Sequence, residues 1–173
     1  MKKIILLSIL LIFLITGTGF AFPNEPDGFR GLKWGDKPTE DMILIGTLPV
    51  EGNIYRRDND KLYIGSTELG NIYYIFNLYS KQFYKVKATF NGEYDHNILK
   101  MVFEDNYGKA TWKAEDGDLL QWMGETTSSK AKIYLQYNRA KRNGYFLIVS
   151  EEIQRESPED NKQKELEKAK NDF

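Results

Sequence analysis

From Asn71 to Asn91 the chain alternates almost without interruption, and no other stretch limits the fold as much. Ile72, Tyr74, Phe76 and Leu78 recur at every second position. Ser80-Lys81 intervenes, and Tyr84, Val86, Ala88 and Phe90 then recur in the same way. Period two belongs to a strand, because successive side chains point to opposite faces. Two such runs around a short polar break predict a long antiparallel hairpin, Asn71 to Tyr79 against Gln82 to Asn91. The other face of this hairpin carries Tyr73, Ile75, Asn77 and Tyr79, then Phe83, Lys85, Lys87 and Thr89. It is half apolar as well.

The period changes next. Ile98, Leu99, Val102 and Phe103 form a stripe at spacings of three and four, which predicts a helix from Tyr94 to Tyr107 lying across the hairpin. Asp95 is the expected N-cap and Gly108 the residue that ends it. Strands are expected at Leu119 to Met123, Lys130 to Tyr137 and Tyr145 to Ile153. Upstream, Asn53 to Arg57 and Lys61 to Gly65 read as a hairpin around Asp58-Asn59-Asp60, residues that accept turn dihedrals. Thr39 to Gly52 fits either one helical turn or a packed loop. Ser157-Pro158-Glu159-Asp160 starts a second helix: an N-cap, proline at the first position, acids in the first turn. Few apolar residues follow, chiefly Leu166, Ala169 and Phe173, so this helix is expected to be solvated. The order predicts an α+β fold: an antiparallel β-sheet, one core helix packed on one face, and a solvated C-terminal helix. The expected organisation is a signal peptide over 1–21, one domain over 22–155 and a charged helical tail over 156–173.

Lys2 and Lys3 precede an apolar run from Ile4 to Ile15, and no charge follows until Glu25. A basic start and an apolar core of about 12 residues make a secretory signal, shorter than the roughly 20 residues of a membrane span. Gly19 and Ala21 have the small-residue spacing that places the cut after Ala21. Of the 24 basic side chains two lie in this segment, leaving 22 against 25 acidic, a net charge near −3. That balance excludes general binding to nucleic acid, which draws its affinity from phosphate neutralisation. No cysteine is present, so an exported product has neither disulfides nor thiol chemistry nor a lipid-bearing cysteine. Its fold must rest on burial, which 14% aromatic residues can supply.

Catalytic motifs are absent. His96 is the only histidine and the natural candidate for a base near neutral pH. Its place in the first helical turn disfavours its charged form, no nucleophile motif accompanies it, and it reads as a surface residue. Ser66 lacks the glycines of a nucleophile elbow. Asp58-Asn59-Asp60 and Glu115-Asp116-Gly117-Asp118 carry calcium-type oxygens but miss the twelve-residue loop pattern, and read as turns. Arg139, Lys141 and Arg142 read as a solvated hairpin tip. No metal, cofactor or catalytic residue is implied.

The pattern Phe29-x-Gly31-x-x-Trp34-Gly35, then Tyr74-x-Phe76, Phe83-x-x-Val86, the helix ending in Tyr107-Gly108, and Trp122 on a following strand resembles small exported bacterial proteins of unknown function. The resemblance spans roughly 29–153. In outline it is also similar to the α+β folds of outer-membrane assembly lipoproteins and of β-lactamase inhibitor proteins. This chain lacks the lipid-bearing cysteine of the former and the disulfides and tandem repeat of the latter. The resemblance implies a fold and a compartment, periplasmic or secreted, and transfers no site residue.

The least ordinary feature is the second sheet face, where Tyr73, Ile75, Phe83, Lys85, Lys87, Tyr134 and Gln136 mix rings with cationic stems. Aromatic residues are enriched at the centres of interfaces. An ordinary solvated sheet, its lysine stems packed on rings, has the same composition. The expected function is a non-catalytic binding or accessory module of the envelope, with Tyr73, Phe83, Lys85, Lys87 and Tyr134 as partner-binding residues. The partner would be an envelope protein or a small ligand, with no stable membrane anchor once the signal is cut. The alternative is a small hydrolase using carboxylates or His96. An uncut signal would instead make the chain a membrane-tethered structural factor.

Overall fold

A computed structural model describes residues 22–123 and 131–171. The expected signal segment, 1–21, lies outside the described residues. Gly28–Phe29 (β1) and Leu32–Lys33 (β2) pair as a small antiparallel ribbon. Met42–Leu48 (β3), Gly52–Arg57 (β4), Tyr63–Ile64 (β5), Thr67–Phe76 (β6) and Phe83–Asn91 (β7) follow, then a helix, Gly92–Tyr107 (α1). Trp112–Lys113 (β8), Leu119–Trp122 (β9), Ala131–Asn138 (β10) and Asn143–Ser150 (β11) lead into Glu151–Gln154 (α2) and Pro158–Asn171 (α3). The class is α+β. One nine-stranded antiparallel sheet runs in the order β3-β4-β6-β7-β11-β10-β9-β8, with β5 paired to β6.

The alternating residues explain why this sheet has a core. Ile72, Tyr74 and Phe76 of β6 are buried with Val86, Ala88 and Phe90 of β7, Ile133, Leu135 and Tyr137 of β10, and Phe146 and Ile148 of β11. From α1, Leu99 and Phe103 join the same cluster. The ring partners of Phe103 differ from expectation. It meets Trp122 at 5.7 Å and Phe146 at 5.3 Å, both edge-on, so it spans the second half of the sheet rather than resting only on the β6–β7 hairpin. Gly144 opposes Phe90 in the ladder, and a Cβ there would come within 2.3 Å of the Phe90 ring. A glycine is needed where a ring crosses a strand this closely.

Several expectations are corrected. Thr39 to Gly52 contains an edge strand, β3, rather than a helical turn or a packed loop. Its apolar residues Ile43, Leu44 and Ile45 are consecutive, so no alternation marks it as a strand, and a bulge lies between Leu44 and Gly46. Consequently β4 pairs with β3 and β6, and β5 pairs only with β6, so the hairpin of Asn53–Arg57 with Lys61–Gly65 does not form. The helix starts earlier than expected, with Asn91 as N-cap in place of Asp95. The last strand ends at Ser150, and Ile153 lies on the short helix α2.

Candidate functional site

The ladders place a row of side chains straight across the sheet on the face turned away from the main core cluster. Residues directly opposed in an antiparallel pair share a face. Tyr73 opposes Lys87, Lys87 opposes Leu147, Leu147 opposes Tyr134, Tyr134 opposes Gln121, and Gln121 opposes Trp112. Six strands about 4.8 Å apart make this row roughly 24 Å long. Tyr73, Lys87, Leu147, Tyr134 and Gln121 are half-buried, and Trp112 at the far end is 48% exposed. A second row lies beside it: Thr89, Tyr145, Gln136 and Leu119.

Contacts hold these groups in place. The Lys87 ammonium sits 4.8 Å from the centre of the Tyr145 ring, a cation–π contact. The Tyr145 hydroxyl donates to the Gln136 side chain. The Lys132 ammonium pairs with Glu151 at 2.5 Å. At the Tyr73 end a pocket of about 180 Å³ opens, lined by Arg56, Asp58, Leu62, Asn71 and Tyr73 among others. Beyond Val149 the face is closed: Ile75, Tyr84, Val149 and Ile153 form a separate buried cluster, with Trp34, Ile54 and Tyr134 packed against it.

Of the five expected partner-binding residues, three lie on this row: Tyr73, Lys87 and Tyr134. Phe83 does not. It is fully buried in the main core, stacked on Trp34 at 4.9 Å. The cause is a bulge. Ile75 opposes Lys85 while Phe76 opposes Phe83, so Tyr84 is supernumerary and the parity of the strand inverts there. Tyr84, expected in the main core, turns onto the other face instead. Lys85 is on the expected face but is spoken for. It is nearly buried, and its ammonium lies 2.8 Å from the Glu51 carboxylate. The Tyr84 hydroxyl donates to the Glu51 carbonyl at 2.6 Å, so together they tie down the β3–β4 turn. Burial, and secondarily the Glu51 charge, push the Tyr84 hydroxyl well above the ordinary tyrosine range.

Sequence reasoning missed Leu147, Tyr145, Gln121 and Trp112. Leu147 and Tyr145 were legible from the alternation of their strand once its partner was known. Trp112 sits on a two-residue strand with no periodicity to read.

His96 is not at the surface; it is 5% exposed and stacked on Tyr137 at 5.3 Å and on Phe90 at 6.2 Å. Its Nε2 is buried without a hydrogen-bond partner. Burial lowers its pKa, and Lys100 and Arg139 act in the same direction against Asp118 and Glu93. Carboxylates of the acidic turns pair with other parts of the chain: Asp60 with Arg30 at 2.7 Å and with the Tyr74 hydroxyl at 2.6 Å, Asp118 with Arg139 at 2.9 Å. Among the described residues no group of three or more His, Asp or Glu side chains converges as metal ligands, and no helix is long and apolar enough to cross a membrane. No family model, curated protein or solved structure matches this chain.

Proposed function

We propose that the chain is an exported envelope protein that binds a partner, a protein or a small ligand, through the sheet face opposite α1, without catalysis. The single observation behind this reading is the registered row Tyr73, Lys87, Leu147, Tyr134, Gln121 and Trp112. In this arrangement α1 packs on one face of the sheet and α3 is solvated, so the other face stays open to a partner beyond the α2 end. Tyrosine and tryptophan bring large apolar area with a polar tip and few rotors, which suits an interface centre. Lys87, fixed over Tyr145, adds a positioned cation. Phe83 and Lys85 have no part in this surface.

Capture from envelope extract with wild type and with a Tyr73→Ala/Tyr134→Ala variant tests the reading. A species retained by the wild type and lost by the variant, with both proteins folded by circular dichroism, is the expected result. Equal capture, or none, overturns it.

A further inference from the structure

We infer that cleavage after Ala21 does more than remove an export segment: it creates a structural cation, the α-ammonium of Phe22, that caps the C-terminal end of α1. The inference rests on that placement of the cut and is independent of the binding face.

Three contacts carry it. The Phe22 ring is buried in the main core and meets Tyr107 edge-on at 6.2 Å. The Pro23 ring packs against Gly108, where an added Cβ would be 3.5 Å from its Cδ and Cγ. The Asn24 side chain donates to the Asn106 carbonyl at 2.8 Å. Residues 22–24 therefore lie along the last turn of α1, and one of them already bonds a carbonyl that the helix end leaves free. A helix carries partial negative charge at this end and favours a cation there. The last turn of α1 supplies none; it holds no basic residue and instead carries Glu104 and Asp105. Lys109, just past Gly108, is exposed. On the incoming segment the Glu25 carboxylate accepts the Ala131 N–H at 2.5 Å. A chain starting at Phe22 thus brings its own positive charge to a last helical turn that holds none. Any residue ahead of Phe22 turns that ammonium into a neutral amide.

Protonation sets the sign. A free α-amine titrates near 8 in an unfolded chain. The negative helix end holds the proton more tightly in the fold, so the stabilisation is complete below about pH 7 and is lost as pH rises through the folded value, by about pH 10.

The test has two arms. The exported product is first weighed; a cut other than after Ala21 overturns the inference. The chain starting at Phe22 is then compared with the same chain acetylated at its α-amine. At pH 6.5 and low salt the free amine should melt about 1–4 °C higher. The gap should close at pH 10 and shrink in 1 M salt. With Phe22→Ala, which removes the anchoring ring, acetylation should have little effect. Equal melting at pH 6.5, a gap that survives pH 10, or the same gap in Phe22→Ala overturns the inference.

Discussion

Single residues separate the surface from the core here, and the bulge beside Tyr84 is where they divide. Phe83→Ala should cost about 3–5 kcal/mol, the usual loss for a large core ring. Tyr73→Ala, on the open row, should cost well under half of that. Urea titrations of the two variants check this, and equal losses would place both rings on one face. Phe103→Ala should also cost about 3–5 kcal/mol, since its ring holds Trp122 and Phe146 together. His96 makes a separate prediction. Its pKa is lowered in the fold, mainly by burial. The unfolded chain therefore binds the proton first, near the ordinary value of 6.5. Stability from this group is complete above that pH and declines as pH falls below it. His96→Phe keeps a ring against Phe90 and Tyr137 and should flatten the fall in the urea midpoint between pH 7.5 and 5.

At the scale of elements, β3 and α3 are the least protected. β3 is the edge of the sheet, and Ile43, Leu44, Ile45 and Leu48 are all at least 41% exposed, with Val50 at the turn 96% exposed. An uncharged apolar edge with free backbone groups templates unwanted pairing. The bulge at Ile45 twists this edge and blunts it only in part. Leu44→Lys should change stability by less than about 0.5 kcal/mol, being a surface change. It should nonetheless reduce light scattering when the protein is heated or refolded. Helix α3 has the opposite character. Ser157 Oγ accepts the Asp160 N–H at 3.2 Å, and the Asp160 carboxylate accepts the Ser157 N–H at 2.9 Å, a reciprocal cap. That bond also draws the Asp160 carboxyl below its usual range. Leu166, 54% exposed, gives the helix little apolar hold on the rest of the molecule. Ser157→Ala should therefore lower helical circular dichroism and amide protection in α3 while leaving the global urea midpoint in place. Leu166→Ala should cost well under about 1 kcal/mol.

For the molecule as a whole, the decisive contact is between β7 and β11, strands separated by the helix and three further strands. Their pairing joins the β3–β7 half to the β8–β11 half and sets Lys87 opposite Leu147. A second long-range tie closes the β3 end. Tyr74, fully buried, donates to Asp60, which also holds Arg30, while the Arg57 guanidinium covers the Tyr74 ring at 4.9 Å. Burial and the neighbouring Asp60 charge push the Tyr74 hydroxyl far above its ordinary range. Asp60→Ala would leave the buried Tyr74 hydroxyl without its acceptor, while Arg30 keeps the Lys61 and Tyr63 carbonyls, and should cost about 1–3 kcal/mol in denaturant titration. None of these ties was legible in advance, whereas the elements that they join mostly were. Alternation over 71–79, 82–91 and 130–137 and the stripe Ile98/Leu99/Val102/Phe103 determined two strands of a hairpin, a further strand and a helix, because side-chain period is a local property of the backbone. Ser157 to Asp160 determined the start of α3 for the same reason, since a cap is completed within four residues. The positions of Phe83, His96, Trp112 and β3 were decided only by the tertiary structure. A bulge inverts parity through its partner strand, burial depends on what the rest of the chain brings over a residue, and a two-residue edge strand exists only because a neighbour offers it a ladder. The row across the face is of this second kind, since its six residues come from six strands and only the register brings them into line.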